Sequence, residues 1–91
     1  MYTWDPEKSK INKRKHGISF EEAEKFIFEG RNILATGAAY GKEEIRHAVI
    51  GKFRGKYYAG IFTVTEKEEI RIISVRRARY EEEKQARDKG L

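Results

Sequence analysis

No cysteine occurs in this chain, which excludes disulfides, thiolate nucleophiles and Cys-ligated zinc together. The sequence therefore suits a reducing compartment, and the expected localisation is cytoplasmic. Proline is nearly absent, with Pro6 the single one. No apolar run approaches the ~20 residues that a helix needs to cross a bilayer. The start of the chain lacks the basic stretch followed by an apolar one that marks a secretory leader. Carboxylates do not gather at metal-ligand spacing: Glu21-Glu22 and Glu81-Glu82-Glu83 are adjacent runs that a helix turns to different sides. Neither a metal nor a cofactor is expected. Internal repeats and low-complexity segments are also lacking.

What is present is charge. The 91 residues hold 20 lysines and arginines against 15 acids, for a net charge of +5. A chain of this length makes one domain, spanning residues 1–91, that buries roughly 60–65% of its unfolded surface. The positive excess favours an anionic partner, nucleic acid foremost, although most of the surface charge is balanced.

Met1 to Trp4 reads as a short first strand. Asp5-Pro6 is a helix start, with Asp as N-cap and Pro at the first helical position, where its missing N–H costs little. The helix runs to about Lys15 and ends at Gly17. It carries Lys8, Lys10, Lys13, Arg14 and Lys15, and its one large apolar residue is Ile11. Ser19-Phe20-Glu21-Glu22 is a capping box that opens a second helix, with Phe20, Ala23 and Ile27 at helical spacing, Phe26 alongside and Gly30 as the stop. Asn32 to Thr36 is β-compatible, and Gly37 to Glu44 is a loop of small residues. Ile45–Lys52 and Lys56–Thr65 form a hairpin through Phe53-Arg54-Gly55, and Ile70–Val75 is a candidate central strand. A charged helix follows from about Arg77 to Lys89. Its few apolar residues suggest loose docking through Ala78 and Tyr80. Strands in a meander after two helices give an α+β fold.

Two fragments concentrate cations beside groups that move protons. The first is Trp4-Asp5-x-x-Lys8-x-x-x-Asn12-x-x-Lys15-His16-Gly17-Ile18-x-Phe20-Glu21-Glu22-Ala23, and the second is Arg71-Ile72-Ile73-Ser74-Val75-Arg76-Arg77-Ala78. A guanidinium donates a planar fork to phosphate and stays charged at every relevant pH. By strict alternation Arg71 shares a face with Ile73 and Val75, and Arg76 shares the other with Ile70, Ile72 and Ser74. Either arginine could instead snorkel to water or pair with an acid. Arg46, at the entrance to a strand, shares parity with Ala48 and Ile50, which puts His47 on the opposite side. Imidazole titrates near neutrality, which suits His16 to acid–base work, though a cation at a helix C-terminus is also simply stabilising. Lys15 would serve only with a depressed pKa. Tyr40, Tyr57 and Tyr58 are aromatics outside the expected core that could stack on an RNA base. Tyr57 and Tyr58 point to opposite faces, so at least one belongs to the core.

The two fragments resemble the BrnT family of bacterial type II toxins, RelE-like ribonucleases, over Trp4 to about Ala78. The chain departs from the family pattern after Ala78, where it reads Arg79-Tyr80-Glu81-Glu82-Glu83-Lys84. The resemblance implies a RelE-like domain: a short N-terminal strand, two helices, an antiparallel sheet and a C-terminal helix. It also implies a toxin that cleaves RNA without a metal and arrests translation and growth. The expected catalytic residues are Lys15, His16, Arg46, Arg71 and Arg76, with Arg77, Tyr57 and Tyr58 contacting RNA. The implied partner is a BrnA-like antitoxin that occludes the cleft and carries the pair to operator DNA, as a dimer or a heterotetramer. A different class fits the same basic face: a non-catalytic RNA-binding or protein-interaction module.

Overall fold

The computed structural model describes residues 1–35 and 45–91. The loop read over Gly37–Glu44, including Tyr40, lies outside the described residues. The elements are β1 (Tyr2–Thr3), α1 (Pro6–His16), α2 (Phe20–Ala23), which runs on as a π-helical segment (Glu24–Phe28), β2 (Asn32–Leu34), β3 (His47–Phe53), β4 (Lys56–Val64), β5 (Ile70–Arg77) and α3 (Tyr80–Asp88). The strands form one sheet in the order β1-β5-β4-β3-β2. Neighbours are antiparallel except β1, which pairs parallel with β5. This is the α+β arrangement expected, with a mixed rather than purely antiparallel sheet.

Both N-terminal helix starts use the caps seen in the sequence. The Asp5 carboxylate accepts the Glu7 N–H at 2.9 Å. Ser19 and Glu22 exchange reciprocal bonds, the Glu22 N–H to Ser19 Oγ at 3.1 Å and the Ser19 N–H to Glu22 Oε1 at 2.9 Å. Lys13 donates to the same Glu22 oxygen at 2.8 Å. That contact, with the Ser19 N–H second, holds the Glu22 carboxyl below its ordinary pKa.

How α1 docks differs from what its composition suggests. Ile11 is 43% exposed, whereas Ser9 and Asn12 are buried. Ser9 Oγ donates to Glu21 at 2.5 Å and accepts the Phe20 N–H at 2.9 Å. Asn12 donates its amide to the Ile18 carbonyl at 2.8 Å and accepts the Val75 N–H at 3.1 Å. A helix with almost no apolar face is thus held by buried polar groups that are fully paired, the condition under which such burial is tolerated.

The sheet has two unlike faces. On one, α1, α2 and the π segment cover Phe20, Ile27, Phe28, Phe53, Tyr58, Phe62, Ile72 and Val75. Gly60 permits this closeness, because a Cβ there would sit 2.8 Å from the Phe28 ring. On the other face, α3 lies over Ala48, Ile50, Ala59 and Ile61 and inserts Ala86. Of the expected loose docking through Ala78 and Tyr80, Ala78 does pack against this cluster, but Tyr80 and the looseness are corrected here. Tyr80 is 76% exposed, and the helix is anchored by fully buried Ala86 and by Glu82. The chain end is tied as well: Tyr57 Oη donates to the Leu91 carbonyl at 2.6 Å and Arg31 donates to the Gly90 carbonyl at 2.8 Å.

Candidate nucleic-acid site

A β-bulge in β5 decides where the arginines point. Ile61 of β4 faces Ser74, but Phe62 faces Ile72, so Ile73 is an extra residue on β5. An extra residue resets the alternation of side chains. Arg71 therefore lies opposite Thr63, and Arg76 lies opposite Ala59. Cross-strand partners share a face, and Ala59 belongs to the face under α3. Arg71 and Arg76 thus stand on one face, not on the opposite faces that strict alternation requires, and the bulge is the reason. Arg77, opposite Tyr58, takes the other face.

Arg71 lines a cleft of about 590 Å³ with Ile45, His47, Thr63, Val64, Thr65 and Glu66. Its guanidinium donates to Thr3 Oγ1 at 3.3 Å, which fixes it against β1 and leaves it otherwise exposed. Thr63 Oγ1 donates to the Ile45 carbonyl at 3.1 Å. That bond holds the segment entering β3, on which half-buried Arg46 sits. The imidazole of His47 rests on the Phe62 ring, with centroids 5.4 Å apart. Sequence reasoning ranks His47 behind Arg46 because the two alternate. His47 pairs with Phe62 at the first residue of β3, so it borders the cleft from the Phe62 face of the sheet, whereas Arg71, opposite Thr63, borders it from the other.

Arg76 is placed differently. It makes a two-pronged ion pair with Glu82, at 2.8 and 2.9 Å. The side chains are 18% and 7% exposed. Glu82 also accepts the Arg79 N–H at 2.7 Å and so caps α3. Arg76 therefore holds the third helix to the sheet by pairing with an acid, the alternative its sequence position left open beside phosphate binding.

Lys15 and His16 end α1, far from the cleft. Tyr58 Oη donates to the His16 carbonyl at 3.4 Å, and the Arg77 guanidinium lies 5.7 Å from the Tyr58 ring. From the Arg71–Thr63 pair to the Arg77–Tyr58 pair is five residues of β4, roughly 17 Å along the strand. The sequence candidates thus divide between two ends of the sheet. Tyr58 is buried beneath Arg77, and Tyr57 is half-buried beneath Lys52 and Arg87, at 4.9 and 5.7 Å from its ring centre. Both rings are covered. Phe26, which the sequence places beside the core, is 43% exposed.

Among the described residues, no group of three His, Cys, Asp or Glu side chains is placed to hold a metal ion. No helix among them is long and apolar enough to cross a membrane.

Fold and cleft together define a small α+β domain that offers arginine, histidine and carboxylate side chains around one opening. The chain belongs to the BrnT family, described as the ribonuclease toxin of type II toxin–antitoxin systems, whose model matches residues 4–82. It is similar to the ribonuclease toxin BrnT of Brucella abortus, known from a crystal structure at 1.1 Å. Sequence identity is 29% and the TM-score 0.61, covering 87% of this chain and 97% of that one. No curated protein sequence matches it. Membership makes it a ribonuclease toxin with an antitoxin as its counterpart.

Proposed function

We propose that the chain is a metal-independent endoribonuclease whose reaction takes place in the Arg71 cleft. The observation that supports this reading is the juxtaposition of Arg71, His47 and Glu66 around one opening of about 590 Å³. RNA carries its own nucleophile. The 2′-OH attacks the adjacent phosphorus, the P–O5′ bond breaks, and a 2′,3′-cyclic phosphate forms. The step needs a base for the 2′-OH proton, an acid for the 5′ oxygen, and cations for the charge that grows on the non-bridging oxygens. Glu66 and His47 are suited to the two proton transfers, and Arg71, with Arg46 nearby, to the charge. Arg76 would meet phosphate only by exchanging Glu82 for it. Lys15 and His16 lie too far away to serve the same phosphate and fit contacts farther along an RNA strand.

In the cell this activity would arrest translation and growth in the cytoplasm. A BrnA-like antitoxin would cover the cleft and link the pair, as a dimer or heterotetramer, to operator DNA.

Cleavage of a naked RNA tests the assignment. Arg71→Ala should lower the rate by about 10²–10³, the usual cost of removing one charge-stabilising donor, with an unchanged melting temperature. Wild-type cleavage should survive EDTA and leave a cyclic phosphate. Activity lost in EDTA and restored by magnesium alone, or an Arg71→Ala protein as fast as wild type, would refute it.

A further inference from the structure

At the end of the molecule opposite the cleft, three aromatic rings form a continuous row. Phe26 lies 5.3 Å from Phe53, and Phe53 lies 6.1 Å from Tyr58. Each ring carries a cation: Lys25 at 5.3 Å from Phe26, Arg54 at 5.1 Å from Phe53 and Arg77 at 5.7 Å from Tyr58. These three cations come from the π segment, the β3–β4 turn and the end of β5, so the fold, not the sequence, assembles the row.

What sets the row apart is that each of its cations is seated on a ring; its charges are also uncancelled, unlike those of the cations in ion pairs. Lys10, Lys13, Lys84 and Arg87 are each neutralised by a carboxylate within 4 Å. Lys25, Arg54 and Arg77 have no such partner among the described residues. A ring positions a cation without cancelling its charge, so the charge remains available to an anion. Phe26 adds an aromatic surface that is 43% exposed beside it.

We propose that this row is a binding surface for single-stranded RNA, separate from the cleft. Unpaired cations track the phosphates, and Phe26 and the guanidinium groups receive unstacked bases, the combination that binds single strands with little sequence preference. A protein partner would require a broader apolar area, and Phe26 is the only half-exposed apolar side chain in the row. The choice of RNA rests on the ribonuclease reading; the choice of a single strand rests on the stacking geometry. The surface would hold the strand while a phosphate at the other end of β4, roughly 17 Å along the strand and across the sheet edge to the Arg71 face, occupies the cleft.

The test uses a labelled 2′-O-methyl oligonucleotide, which has no free 2′-OH to attack and so reports binding without cleavage. Arg54 has φ of 52°, a conformation Asn accepts, so the variant is R54N/R77Q. It should bind about tenfold more weakly, with its melting temperature unchanged. Its salt slope should fall by about 1.4, or roughly 0.7 for each phosphate that the protein no longer neutralises. K84Q, which removes an exposed cation from the outside of α3, should bind the oligonucleotide within about twofold of wild type. Wild-type affinity and slope in R54N/R77Q would overturn the proposal. So would an equal loss of binding in K84Q, or binding retained by R54N/R77Q while the protein no longer captures its antitoxin. A wild type that binds through Arg54 and Arg77 yet cleaves nothing would refute the ribonuclease reading and leave this surface standing.

Discussion

The two faces of the sheet are held in different ways. Beneath α2 and the π segment, large side chains meet: Phe20, Ile27, Phe28, Phe53 and Phe62 bury area without regard to direction, with α1 added through the Ser9 and Asn12 bonds. Beneath α3 the strands present Ala48, Ile50, Ala59 and Ile61, and the helix replies with Ala86 alone as a fully buried apolar side chain. The helix itself thus contributes little apolar area. Attachment there depends on directional contacts, the forked Arg76–Glu82 pair and the Tyr57–Leu91 bond. A face held by area yields gradually as atoms are removed. One held by a few polar contacts yields all at once, because breaking a contact leaves its partner buried without one.

The comparison can be broken first on its strong side. Phe20 is 1% exposed and packs edge-on against Trp4 at 6.4 Å. Phe20→Ala should destabilise by about 3–5 kcal/mol, read by urea unfolding. A loss below about 1 kcal/mol would mean that this face does not hold the fold.

On the α3 face, Arg76→Ala should cost about 3 kcal/mol, because it strands the Glu82 carboxylate in a site 7% exposed. R76A/E82A should recover part of that loss, since no unpaired charge then remains. If the double variant is the less stable of the two, the pair is not a latch. Any loss of RNA cleavage in R76A must be read beside its stability.

The smallest effect concerns Tyr2, which meets Phe28 at 5.6 Å and donates to Glu29 at 3.1 Å. Burial first, then the Glu29 hydrogen bond, raise its pKa to about 12. The folded chain keeps this proton while the unfolded chain loses it near pH 10, so stability is full below pH 10 and declines between about 10 and 12. Tyr2→Phe should flatten that decline in melting temperature against pH. An unchanged profile would remove Tyr2 as its source.

Much of this is legible in the sequence. Caps announce themselves locally, and so Asp5, Ser19 and Glu22 can be read with the contacts they make. The hairpin is legible almost to the residue, because the Arg54-Gly55 turn is a local event. The site is harder, since it depends on register. One extra residue at Ile73 turns Arg71 and Arg76 to a common face, and no pattern of alternation contains a bulge. Arg76 reads as a phosphate ligand because its partner, Glu82, lies on a helix whose composition hides its docking. Phe26 reads as core on α-helical spacing, but the segment Glu24–Phe28 is π-helical, and its wider turn brings Phe28 inward instead.

Asn12 has a consequence for assembly. The outer edge of a sheet is a template on which another chain can lay a strand. Here β1 guards only Ile70 and Arg71 of β5. Farther along, the Val75 N–H is already spoken for by the Asn12 side chain, which does with one amide what a neighbouring strand would do with its backbone. A visiting segment can extend this edge only after α1 has been lifted away, so the most polar helix of the molecule also acts as its doorstop.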